Sequence, residues 1–63
     1  MTLYAEFAAY VQQHGRRAIT YPSPGGIKEV YDLHGLQVVL DTAPKGPEDL
    51  VVAVLRGDEI LYL

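Results

Sequence analysis

Asp32 and His34 stand two residues apart, so on a strand they share a face and the carboxylate could orient the imidazole for acid–base work. No nucleophile or second acid has a matching spacing, and Asp and His beside a tight turn read more simply as a solvated hairpin end. His14 and His34 with Arg16 and Arg17 supply the parts of a toxin-like, metal-independent ribonuclease or an RNA-binding module, although nothing in their spacing requires it. His14 alone suits the negative end of a helix dipole. No cysteine pair, HxxxH or acidic calcium loop is present, so neither a metal nor another cofactor is expected. Gly25-Gly26 lacks the lysine of a phosphate-binding loop, and Arg56-Gly57-Asp58, although it spells the integrin-ligand tripeptide, reads as a turn between two apolar strands.

Charge gives a stronger indication than any catalytic motif. The chain carries a net charge of −3, unevenly spread. Residues 1–26 set Glu6 against Arg16 and Arg17, whereas residues 27–63 hold seven acids against Lys28, Lys45 and Arg56. Five basic residues scattered over three regions make a poor footprint for phosphate, so direct nucleic-acid binding is not expected. A protein partner with a basic surface fits better. The residues predicted to meet it are Glu29, Tyr31, Asp32, Asp41, Glu48, Asp49, Asp58 and Glu59, with the acids steering. Five tyrosines, at positions 4, 10, 21, 31 and 62, are the most unusual compositional feature. Tyrosine gives large contact area with few rotatable bonds, which serves interfaces, and serves equally as an ordinary core-flanking or strand residue.

These residues must be positioned by very little chain. Sixty-three residues make one domain, 1–63. Such a domain buries about 60% of the surface its unfolded chain exposes. The first fourteen residues predict an amphipathic helix, because Leu3, Phe7, Tyr10, Val11 and His14 recur at three- and four-residue spacing, with Tyr4 and Ala8 widening the stripe. Thr2 is the expected N-cap, and Gly15 the stop, in a left-handed conformation. Arg16 and Arg17 just beyond it suit the negative end of the helix dipole.

Ala18–Tyr21 reads as a short edge strand cut by Pro22, and Ser23-Pro24-Gly25-Gly26 is the strongest turn signal. Residues 27–35 fit either a short helix stopped by Gly35 or a strand, and the His34-Gly35 pair favours a hairpin. A strand follows from Leu36 to near Thr42, then an exposed loop over 43–49. Leu50–Leu55 is a central strand apolar on both faces, Arg56–Glu59 a tight turn, and Ile60–Leu63 a last antiparallel strand. The expected architecture is α+β: one N-terminal amphipathic helix packed on a meander of three to five antiparallel strands. Val39, Val51, Ala53 and Leu55 are expected opposite the helix, as an interaction patch or beneath the long loop or a fifth strand.

No apolar run approaches the roughly 20 residues of a membrane-spanning helix, and the N-terminus does not read as a secretory signal, so the cytoplasm is the default expectation. The expected function is that of a small non-enzymatic protein that binds and inhibits or modulates a larger macromolecular complex. In size and charge alone the chain resembles anti-CRISPR proteins, which would imply an inhibitor of bacterial defence encoded by a phage or mobile element. The alternative is the small ribonuclease or RNA-binding module of a toxin–antitoxin type system. A homodimer through the edge of the Ile60–Leu63 strand is compatible with either.

Overall fold

The computed structural model describes residues 2–63. Helix α1 (Leu3–His14) leads into β1 (Arg16–Ser23), β2 (Gly26–Leu33), β3 (Leu36–Asp41), a 3-10 turn at Pro47–Asp49, β4 (Val51–Arg56) and β5 (Glu59–Tyr62). The strands form one antiparallel sheet in the order β1-β2-β3-β4-β5. The expected helix on an antiparallel meander is therefore present, with five strands.

Thr2 caps α1: its hydroxyl oxygen accepts the Ala5 N–H at 3.1 Å, satisfying a donor that has no partner within the helix. Met1 lies outside the described residues. Gly15 does end the helix, but not in the left-handed conformation. Its φ of −85° and ψ of 173° are extended, and its N–H donates to the Val11 carbonyl at 2.7 Å. The chain enters β1 directly, and glycine is needed there for space. A Cβ would sit 2.6 Å from the Val11 oxygen and 3.1 Å from the Asp32 oxygen.

The helix face is also rotated from the expected stripe. Ala8 and Val11 are buried, with Tyr4 and Phe7 packed beside them, while Leu3 and Tyr10 are exposed. Tyr4, Phe7, Ala8 and Val11 follow the i, i+3, i+4, i+7 rule.

β1 runs through Pro22 instead of stopping before it, because an edge strand tolerates a missing N–H. Arg16 and Arg17 belong to this strand and not to the helix end. Pro24 and Gly25 connect β1 to β2. The ambiguous 27–35 segment is a strand followed by a two-residue turn. His34 and Gly35 both have positive φ, 51° and 84°, and the flanking Leu33 and Leu36 pair. After β3, Thr42 ties the long connection down, its backbone N–H and hydroxyl both donating to the Ile27 carbonyl, at 3.2 and 2.8 Å.

The helix-side core comprises Ala8, Val11, Tyr31, Leu33, Val38, Leu40, Val51 and Val54, of which Leu40, Val11 and Val38 are fully enclosed. Burying one such large side chain stabilises the fold by about 1.5–3 kcal/mol. Val51 joins this core, contrary to its expected place opposite the helix. Leu40 pairs with Val51 and Val39 with Ala53, so Val52 is an extra residue that bulges β4 and reverses the alternation there. Val39 and Ala53 pair across the far face and are themselves buried. Exposed apolar side chains lie instead in two groups, Ile60, Leu61, Tyr62 and Leu63 at the β5 end and Ile19, Tyr21 and Ile27 on β1 and β2, with Leu3 and Tyr10 on the helix.

Candidate functional site

Cross-strand register decides which predicted contact residues remain available to a partner. Glu29 receives Arg17 at 3.3 Å and the Tyr31 hydroxyl at 3.2 Å. Asp32 pairs with Arg16 at 3.2 Å, Asp41 with Lys28 at 3.3 Å and Glu59 with Arg56 at 2.7 Å. Tyr31 is buried, and that burial, with the Glu29 charge and hydrogen bond behind it, pushes its phenol above the ordinary value. The Asp41 carboxyl is held low, first by accepting the Ala43 N–H at 2.9 Å and then by Lys28. These five residues are engaged inside the molecule. Glu48 and Asp49 on the 3-10 turn and Asp58 in the last hairpin make no ion pair among the described residues.

Among the described residues neither His14 nor His34 makes a side-chain hydrogen bond to Asp32, Arg16 or Arg17. Asp32 is held by Arg16, and His34 occupies a turn where its backbone leaves the strand. His14 packs its ring against Tyr10, with centroids 4.5 Å apart. Arg16 and Arg17 pair opposite neighbouring residues of β2, which places them on opposite faces. Among the described residues no group of three or more His, Asp or Glu is placed to hold a metal ion, and no helix is long and apolar enough to cross a membrane.

Two clefts share Val51 and Tyr62: one lies between α1 and the β4–β5 end of the sheet, the other runs from the end of β5 past the 3-10 turn to Pro24 and Gly25 between β1 and β2. The smaller, about 300 Å³, is wholly apolar: Leu3, Tyr4 and Phe7 from the helix face Val51, Val54 and Tyr62 from the sheet. The larger, about 640 Å³, shares Val51 and Tyr62 with it and continues past Val52 and Leu63 to Glu48, Asp49 and Lys45. Tyr62 stands where the two join. Its phenol is pushed above the ordinary value by its interaction with the Tyr4 hydroxyl, then by burial, with the nearby Asp49 and Glu48 charges adding. The junction thus sets an aromatic apolar surface beside two unpaired carboxylates.

Comparison with family models, with curated proteins and with solved structures finds no match to this chain.

The sheet's two free edges differ sharply. β1 carries Arg16, Arg17 and Pro22 and is bulged at Ala18, all features that discourage another strand from adding. β5 is four residues long, begins with Glu59 and has a bulge at Leu61, but its Ile60, Leu61 and Tyr62 are uncharged and remain 59%, 44% and 39% exposed. Sequence reasoning placed Glu48, Asp49 and Asp58 among the expected contact residues and offered the Ile60–Leu63 strand as a dimer edge, but did not place Leu3 beside it. The available signal was an uncharged apolar run following a tight turn; its meaning depends on β5 being an edge.

Proposed function

We propose that this chain is a non-enzymatic binding protein that docks on a larger, basic protein complex and inhibits or modulates it. One observation carries the reading: an apolar groove that includes Tyr62 shares that residue and Val51 with a neighbouring cleft lined by Lys45 and by the unpaired carboxylates of Glu48 and Asp49. Aromatic and aliphatic anchors in a groove supply binding energy, while neighbouring acids select and steer a basic partner. Surfaces made basic to hold nucleic acid are the natural targets of such a patch. On this reading the protein works in the cytoplasm as an inhibitor of a bacterial defence complex, the role its resemblance to anti-CRISPR proteins in size and charge implies. The acidic surface is narrower than composition suggests, since Glu29, Asp32, Asp41 and Glu59 are partnered within the fold.

The test is affinity capture from bacterial lysate with the wild-type chain and with the double variant Glu48→Lys/Asp49→Lys, at low and high salt. The expected result is one stoichiometric complex, retained by the wild type and reduced at least tenfold by charge reversal or by salt. Capture indifferent to both changes would overturn the reading, as would RNA cleavage by the purified chain alone.

A further inference from the structure

We infer that β5 is a docking strand: an extended segment of the partner, alternating apolar and basic side chains, adds to its free edge as a sixth strand of the sheet. This rests on the reading of the chain as a binding protein and specifies how that binding occurs. An edge strand presents a row of unpaired N–H and C=O groups, and natural proteins block such rows unless they are used. This sheet protects its β1 edge more heavily than its β5 edge, whose protection is a four-residue length, Glu59 and the bulge at Leu61. Arg16, Arg17, Pro22 and the bulge at Ala18 guard β1, whereas Ile60, Leu61 and Tyr62 offer neither charge nor proline.

Side-chain alternation gives the added strand a use for both its faces. Tyr62 pairs with core residue Val54, so residues on that side of an incoming segment lie beside the apolar groove of Leu3, Tyr4 and Phe7. Ile60, paired with Leu55, provides an apolar neighbour for the next layer. Near Leu63 the larger cleft is lined by Glu48 and Asp49 with Lys45, two carboxylates against one base, a balance that favours Lys or Arg in the segment.

Charge also argues against a second copy of this chain as the occupant. Antiparallel pairing of β5 with its own copy would bring the copy's hairpin end, where Arg56 pairs with Glu59 and Asp58 adds a negative charge, toward Glu48 and Asp49 at the other end of the strand. A net negative end would meet two unpaired acids, an arrangement that disfavours association.

The experiment titrates isotope-labelled protein with a set of nine-residue synthetic peptides, Lys at alternate positions and Val, Ile or Phe between, following amide shifts and hydrogen exchange. Matched peptides carry Glu in place of Lys, or a central Pro. At least one basic peptide is expected to bind and slow exchange at Glu59–Tyr62 at least tenfold. Its Glu and Pro counterparts, and the Glu48→Lys/Asp49→Lys protein, should bind at least tenfold more weakly. Binding that leaves the β5 amides unchanged, or no binding by any basic peptide, overturns the inference. So does a sedimenting dimer whose β5 amides are protected before peptide is added, which would make a second copy the occupant. The broader reading fails separately: a charge-sensitive complex captured from lysate in which β5 amides exchange as in the free chain preserves the binding function and removes strand addition.

Discussion

At Gly15 a single hydrogen in place of a side chain allows α1 to end against the sheet. The backbone there is extended, so any residue could adopt its angles; what excludes a side chain is the approach of two backbone oxygens, at 2.6 and 3.1 Å from a would-be Cβ. Neither oxygen is the tip of a flexible group. Relieving the contacts must move the helix end away from β2 and loosen Val11, which is fully buried. Gly15→Ala is therefore expected to destabilise the protein by about 1–3 kcal/mol, the range for overpacking a tight site. Urea denaturation followed by circular dichroism measures this, and an unchanged midpoint would show that the close approach is not essential. Sequence reading placed the helix stop at the right residue for the wrong reason, because a glycine required for φ and one required for space look identical in a sequence.

Whole elements were more legible than their mutual register. The β2–β3 hairpin could be read from His34-Gly35, since a two-residue turn between apolar runs needs positive φ at both positions and this pair can supply it. Histidine accommodates that conformation less readily than asparagine, whereas glycine does so freely. Adjacent substitutions should therefore act in opposite directions: Gly35→Ala lowers stability by about 1–2 kcal/mol, while His34→Asn raises it by a few tenths. Thermal melts of both variants test the turn assignment, and a destabilising His34→Asn would contradict it. What could not be read were the bulges at Ala18, Val52 and Leu61, each of which interrupts a period-two pattern. Val51 changed sides for this reason. The same limit hid the pairing of Glu29 and Asp32 with arginines on β1, because an ion pair across a ladder depends on register, and the β1–β2 register on the bulge at Ala18.

For the molecule as a whole, a small core makes stability sensitive to the protonation of groups that tie its strands together. A domain of this size has a total stability of roughly 3–9 kcal/mol, so one or two titrating groups matter. Asp41 is held below the ordinary aspartate value of 3.8, first by the Ala43 N–H and then by Lys28, a contact that joins β2 to β3. Its contribution is complete above 3.8 and disappears as pH falls through the lower folded value. Tyr31 behaves in the opposite sense. Burial raises its phenol above 10.0, so its contribution is complete below 10.0 and disappears as pH rises through the higher folded value. Stability should therefore form a plateau falling on both sides, with a different residue shaping each limb. Asp41→Asn should be less stable than wild type at neutral pH and converge with it in acid, flattening the acid limb. Tyr31→Phe forgoes the hydrogen bond to Glu29, worth about 0.5–1.5 kcal/mol, and should regain ground on the wild type in alkali because it has no phenol to ionise. Urea midpoints across the pH range, measured for all three chains, decide the matter: parallel curves would assign the pH dependence to other groups, whereas convergence in acid for one variant and relative gain in alkali for the other would place it at Asp41 and Tyr31, two residues of the β2–β3 pairing.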